Sequence, residues 1–418
     1  MSWPLMGETI TMGDRLSMAY FAMTADKFTN GKKVKQFEED WNKWLGSKYS
    51  LFVSSGSTAN FLLVAAVKEM YGLKKGDKVL LPACTWVTNV APIIQLGLQP
   101  VFCDINLNDF SFDINQVRMI KQTHRIKMVF TTHLLGFPFD ITPLRKLFPK
   151  ALFIDDVCES HGASINNKKV GSNSLGATFS FYFGHHMSTI EGGMVSTNNQ
   201  DLYDLMKMKR SHGMARESTN FERHAQRWNN IDKQFLFMTD GYNFRNHELP
   251  AVLGIRQLKR LDSMIEKRRS NHTKFCSILK DFKHLFYPIK DVPGNSSFCL
   301  PFVCKSRTIM LQLKKIFKEC NIEYRPIVSG NLLNQPFLHN YKLSGAKSKG
   351  SFNVDILHNN GVYIGNNHFI KDNDFVKLIL TLKEYNGSRK NRTSNKRSSS
   401  KNTKRIRRKP IRQTSNSS

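Results

Sequence analysis

No apolar run in this chain approaches the roughly 20 residues that a membrane-crossing helix needs. The first residues, M-S-W-P-L-M-G-E-T, lack the basic-then-apolar pattern of a secretory leader, so a cytoplasmic protein with no membrane partner is expected. No C-x-x-C pair exists among the seven cysteines, which excludes the usual zinc spacing and argues against a disulfide framework. No internal repeat is present. Acid is scarce: 33 Asp and Glu stand against 62 Lys and Arg, and residues 388–418 hold no acid at all. That stretch carries 12 Lys or Arg, leaving +17 on the first 387 residues. It has too little apolar surface to offset its ordering entropy and is expected to be disordered. Lys401–Lys409 is basic enough to contact nucleic acid or another polyanion, but no aromatic residue is interleaved for base stacking.

What is present is an ordinary globular composition, 40% hydrophobic over 418 residues, long enough for two or three domains. Residues 1 to about 50 read as helical. Val34–Leu45 places apolar groups at three- and four-residue steps and ends at Gly46, a candidate C-cap. Short apolar runs then alternate with helical ones. Ser50–Ser55, Lys78–Pro82, Pro100–Asp104, Lys127–His133 and Ala151–Asp156 read as strands, with helices over Ser57–Tyr71, Val87–Leu96 and Asp113–Lys121. This alternation predicts an α/β fold with a mainly parallel sheet. Ligand groups in such folds gather at the carboxyl ends of strands, where His133, Asp155 and Asp156 fall. One long amphipathic helix, Glu248–Leu279, is expected to leave the large domain. The predicted organisation is a large domain over 1–270, a smaller α+β domain over 271–387, and the basic tail over 388–418.

Several motifs carry chemistry. Ser54-Ser-Gly-Ser-Thr-Ala-Asn60 lies between a strand and a helix, where free N–H groups and small residues suit an anion, although serines cap helices everywhere. Trp86 follows the next strand end, a place for core packing or for stacking on a flat ring. Asp156, within Ile154-Asp-Asp-Val-Cys-Glu-Ser-His-Gly162, is either a helix cap or a functional strand-end carboxylate. Phe179–Thr197 contains Ser180, the paired His185 and His186, and a Glu-Gly-Gly turn, and on spacing alone reads equally well as a hairpin with two exposed histidines. Further along stand Ser211-His-Gly213, Gly241-Tyr-Asn-Phe-Arg245, Arg325-Pro-Ile-Val-Ser-Gly-Asn331 and Ile364-Gly-Asn-Asn-His368.

Taken in order over residues 20 to 384, these motifs resemble the DegT/DnrJ/EryC1/StrS sugar aminotransferases, in particular their dehydratase branch. The resemblance implies the fold of pyridoxal phosphate (PLP) enzymes of the aspartate aminotransferase type (fold type I). It implies that Gly56, Ser57 and Ser180 hold the cofactor phosphate, Trp86 stacks on its ring, Asp156 keeps the ring nitrogen protonated, and Glu159 lies near its phenolic oxygen. Asn243 would reach the phosphate of a partner subunit, making a homodimer with shared active sites. His212 and Arg325 would contact substrate. His185 stands where the family's aminotransferases carry their Schiff-base lysine, 29 residues after Asp156, and no lysine lies between Lys169 and Lys207.

Imidazole has no primary amine and cannot anchor the cofactor covalently, but it can still move protons. The implied reaction is therefore loss of the C3 hydroxyl from a nucleotide-linked 4-keto-6-deoxyhexose. The metal-free dehydratases of the branch act on GDP-4-keto-6-deoxymannose, with L-glutamate regenerating the pyridoxamine form of a non-covalent cofactor. The missing Cys-x-Cys group argues against the iron–sulfur type. A nucleotide-sugar 4-aminotransferase and a non-catalytic relative of the same fold are the alternatives.

Overall fold

The computed structural model describes residues 2–341, 344–345 and 352–386; the basic tail expected over 388–418 lies outside them. In chain order the first strands are β1 (Tyr49–Val53), β2 (Lys78–Pro82), β3 (Gln99–Cys103), β4 (Ile126–Thr132) and β5 (Leu152–Asp156). A two-residue hairpin, β6 (Ser164–Ile165) with β7 (Lys168–Lys169), precedes β8 (Gly176–Ser180) and β9 (Gly193–Thr197). The main sheet runs in the order β1-β9-β8-β5-β4-β2-β3, with residues 344–345 paired beyond β3. All neighbours pair in parallel except β9, which is antiparallel to both β8 and β1. The strands are buried along nearly their whole length, as expected for a sheet covered on both faces.

The helices over the sheet follow local rules. Helix α1 (Met12–Thr24) starts with a capping box between Thr11 and Asp14. Helix α2 (Lys32–Leu45) buries Val34, Phe37, Trp41 and Leu45 on one face and ends at Gly46 in the left-handed conformation, the C-cap its sequence predicts. Gly31 offers no side-chain cap, so the carboxylate of Glu248 accepts from the N–H groups of Gly31, Lys33 and Val34 instead. Trp41 packs edge-on against Phe179 and Phe181 at ring separations of 4.9 and 5.0 Å. Each such buried aromatic contributes about 1.5–3 kcal/mol. The strand carrying the site is thereby clamped from behind.

After α3 (Gly56–Met70), α4 (Val87–Gln95), α5 (Ile114–Thr123), α6 (Thr142–Leu147), α7 (Gln200–Arg210) and α8 (Phe221–Arg227), the expected long helix proves to be two. Helix α9 (Glu248–Leu258) stops, and α10 (Leu261–Asp281) begins after a turn at Lys259–Arg260. At the break Arg260 reaches back to buried Asp14, assisted by Arg256 at 2.9 Å. The two arginines and the Thr11 N–H offset burial and hold the Asp14 pKa down at about 2. The apolar period runs through this break, which is why the sequence does not reveal it.

The C-terminal part forms a three-stranded antiparallel sheet of β10 (Cys299–Val303), β13 (Gly361–Gly365) and β11 (Tyr324–Arg325), the short β12 (Ser344–Gly345) being the pair already noted beside β3. Helices α11 (Arg307–Glu319) and α12 (Asn353–Asn360) and a helix over 372–386 accompany it. Residues 2–11 are not helical, contrary to the reading of 1 to about 50. Trp3 is 2% exposed, donates from its indole to Gly365 O at 2.9 Å, and exchanges backbone bonds with Asn321 and Glu323. The start of the chain is thus pinned to the small sheet.

Candidate active site

A cleft of about 510 Å³ opens beyond the carboxyl ends of β1, β5 and β8 and is completed by the small sheet. Its first wall follows β1. Ser55 caps α3, its hydroxyl accepting from Thr58 N at 3.1 Å, so the helix starts at Gly56 and directs its N-terminal dipole at the cleft. Gly56 must be glycine because a Cβ there would stand 2.6 Å from Ser180 Cβ. Gly193, across the Glu-Gly-Gly turn, is tighter still: its Cβ would meet Ser55 O at 2.2 Å. Ser57 and Ser180 line the cleft beside this turn. Trp86, the N-cap of α4, keeps 53% of its surface exposed and forms another part of the wall.

Asp156 ends β5 and is 3% exposed. Its Oδ2 accepts from Asn60 Nδ2 at 3.0 Å and Asn89 Nδ2 at 2.9 Å, and its Oδ1 from Cys158 N at 2.8 Å. The two asparagines are themselves oriented, Asn60 by Thr178 and Asn89 by Thr85. Asp155, the neighbour of Asp156, takes the opposite direction, as adjacent strand residues must. Asp155 faces His133 at 3.8 Å, and neither lines the cleft. The expectation that His133 and Asp155 serve as ligand groups is corrected accordingly.

Glu159 accepts from Leu135 N at 3.0 Å, and Leu135 holds a left-handed φ of 55° to present that N–H. Burial pushes the Glu159 pKa from 4.5 up to about 7; the Leu135 bond opposes the shift and the charge of Asp156 adds to it.

The histidine pair divides into two roles. His186 is fully buried, and its Nε2 lies 3.0 Å from Ser296 O. A carbonyl only accepts, so Nε2 carries the proton there. His185 lines the cleft, with Nδ1 buried and without a hydrogen-bond partner among the described residues. Its ring is held by aromatic contacts, with Phe298 at 5.5 Å, His161 at 6.1 Å and Tyr182 at 6.4 Å. Burial, and then the charge of Arg268, lowers its pKa from 6.5 to about 4, so the imidazole is neutral at physiological pH. No lysine lines the cleft among the described residues.

Arg325 reaches the cleft from β11, beside Tyr363. Asn243 and His212 do not line the cleft of their own chain. The structure brings them to each other instead: Ser211 bridges to Asn243, and Arg245 links Asn243 Oδ1 at 3.1 Å to His212 Nε2 at 3.3 Å. His212 thus stands beside Asn243 and Arg245, outside the cleft of its own chain. The cleft also contains a residue that no motif pointed to, Arg268 from α10, while His161 of the Asp156 motif is fully buried behind the histidine pair. Arg268 was detectable: it occupies a core-facing position in the series Leu261, Met264, Ile265, Arg268, His272, Phe275. A charge at such a position is the signal.

Comparison with known proteins bears on this arrangement. The family model described as the DegT/DnrJ/EryC1/StrS aminotransferase family matches residues 12–354. The chain is 36% identical over 373 residues to GDP-4-keto-6-deoxy-D-mannose 3-dehydratase of Yersinia pseudotuberculosis, covering 86% of this chain and 93% of that protein. Among solved structures it resembles a GDP-4-keto-6-deoxymannose-3-dehydratase with a trapped PLP-glutamate geminal diamine, at 32% identity and a TM-score of 0.81 over 90% of this chain and 99% of that one. It also resembles a histidine-to-asparagine variant of such an enzyme with bound GDP-perosamine, at 31% identity and a TM-score of 0.84 over 91% and 100% of the two chains. The fold is that of the PLP-dependent aminotransferases, and the chain belongs to the DegT/DnrJ/EryC1/StrS family.

Proposed function

We propose that the protein removes the C3 hydroxyl of GDP-4-keto-6-deoxymannose, using pyridoxal phosphate without a covalent tether and L-glutamate as amino donor. The observation that carries this reading is a neutral histidine with an unpartnered ring nitrogen in a cleft whose described lining residues include no lysine. The residues present fit the cofactor: a helix N-terminus beside a glycine too crowded for a Cβ suits a phosphate, a half-exposed Trp86 suits a flat ring, and a tightly held Asp156 suits a protonated ring nitrogen.

When bound, the cofactor supplies an amine and a ring that takes up an electron pair. The chain does the rest. Gly56, Ser57 and Ser180 bind the phosphate. Asp156 holds the positive charge of the ring nitrogen in place. Glu159, about half protonated near neutrality, would donate or accept at the ring's oxygen. His185 takes a proton at the reacting carbon and hands it to the departing hydroxyl. Across one turnover the sugar loses one oxygen, L-glutamate is oxidised to 2-oxoglutarate, and ammonia leaves, which balances atoms and electrons. A 4-aminotransferase would need an amine in the cleft to release its product, and among the described lining residues there is none.

On the same reading, residues 1–270 bind the cofactor, 271–387 form the smaller domain, and the protein works in the cytoplasm as a homodimer. Asn243 then serves the partner's phosphate, which accounts for its distance from its own cleft. Incubation with pyridoxal phosphate, L-glutamate and GDP-4-keto-6-deoxymannose tests the function. Mass analysis should find a product one oxygen lighter with its C4 carbonyl retained, together with 2-oxoglutarate and ammonia. A stable 4-amino sugar overturns it.

A further inference from the structure

Arg268 is only 4% exposed, yet it lines the cleft. One guanidinium nitrogen donates to two backbone carbonyls, Phe298 O at 3.0 Å and Asn366 O. Its Nε is buried and has no partner, and it joins no ion pair among the described residues. Burial lowers its pKa only to about 10, so it stays charged at neutral pH. Burying an unpaired charge costs several kcal/mol. Two carbonyls do not require that charge, since a neutral donor would satisfy them. The position therefore calls for an anion that arrives with a ligand.

The reaction proposed above brings three kinds of anion into the cleft. The cofactor phosphate belongs at the start of α3. The diphosphate of the sugar is attached at C1, across the sugar ring from the reacting C4. The α-carboxylate of an amino donor is bonded directly to the carbon that gives up its proton. Arg268 lies on the proton-handling side, since its charge is felt at His185, His186 and His161, and it shares Phe298 with the first two.

We propose that Arg268 is the residue that reads the α-carboxylate of the amino donor. The proposal rests on the reading that an amino acid is the donor, but its test needs no sugar. Arginine suits the task because its planar fork matches a carboxylate bidentately. The neighbouring histidines cannot substitute, being held neutral.

The test is calorimetric binding to the cofactor-free full-length protein of two stable reduced adducts, N-phosphopyridoxyl-L-glutamate and N-phosphopyridoxyl-4-aminobutyrate. They differ only in the α-carboxylate. Hydrogen bonds to a charged group predict that the wild type prefers the glutamate adduct by about 10- to 150-fold. In Arg268→Gln the preference should collapse toward one, with affinity for the aminobutyrate adduct unchanged. Arg268→Lys, which keeps the charge without the fork, should fall between and guards against a folding defect in the Gln variant. Equal binding of both adducts by the wild type overturns the proposal, as does a preference that survives Arg268→Gln. A parallel loss for both adducts in the variants also overturns it and marks Arg268 as a strut. Failure of the sugar reaction, read by mass, leaves this preference to stand or fall by itself.

Discussion

The two sides of the cleft are built in opposite ways. On one, Asp156 accepts three hydrogen bonds, two of them from asparagines that are themselves fixed by Thr178 and Thr85 and one from the Cys158 backbone. On the other, His185 and Arg268 keep buried nitrogens without partners, and rings rather than hydrogen bonds hold the imidazole. A group whose role is constant through the reaction can be saturated in advance, which orients it and keeps its charge in place. A group that must gain or lose a proton, or receive a ligand, has to be left wanting. The cost of that want is met by the aromatic and backbone packing around it.

Substitutions on either side test this contrast. His185→Ala, on the open side, should remove turnover by about 10²- to 10⁴-fold, the usual worth of a positioned acid–base group. Cofactor affinity and melting temperature should change little, because no hydrogen bond from Nδ1 is lost; a large drop in stability would break the contrast. Asp156→Ala, on the saturated side, should do the reverse in the cofactor-free protein. Each buried donor it orphans costs about 1–3 kcal/mol, so the melting temperature should fall clearly, and activity by about 10²- to 10³-fold with it.

Glu159 belongs to neither extreme, and its pH behaviour has a definite sign. Its pKa in the folded protein, about 7, lies above the ordinary 4.5, so the folded state binds the proton more tightly than the unfolded one. Its contribution to stability is complete below pH 4.5, declines as pH rises toward 7, and is lost above that. Glu159→Gln should flatten this part of the melting profile. It should also remove a break near pH 7 in the activity profile, whereas the His185 imidazole stays neutral down to about pH 4. The smallest effect is expected at the wall: Trp86→Leu should weaken cofactor binding by about 2- to 10-fold, the worth of one stacking contact. Spectroscopic titration with pyridoxal phosphate measures it.

Much of this was readable from the chain. The strand-end placement of Asp156, the Gly56 turn and the Gly46 cap all follow from local chemistry acting within a few residues. His185 required an ordered set of motifs, because two adjacent histidines before a Glu-Gly-Gly turn are chemically ambiguous. What stayed hidden depends on long-range contacts. Arg260 at the break reaches Asp14, and the N-terminal segment is set by Trp3 docking on Gly365, each pair hundreds of residues apart. The opposite facing of Asp155 and Asp156 is a strand property that strand-end reasoning alone passes over. Arg268 went unread for another reason: it lies in no motif, only out of place on an apolar face.

The contact of Gly193 with Ser55 has a consequence for anyone who wishes to rebuild this protein. With 2.2 Å to spare for a Cβ that would need far more, neither segment can be redrawn alone. A histidine loop imported from a relative fits against the Ser55–Gly56 backbone only where it carries glycine at the position of Gly193. The two segments, distant in the gene, meet backbone to backbone here, so recombination libraries should hold position 193 as glycine.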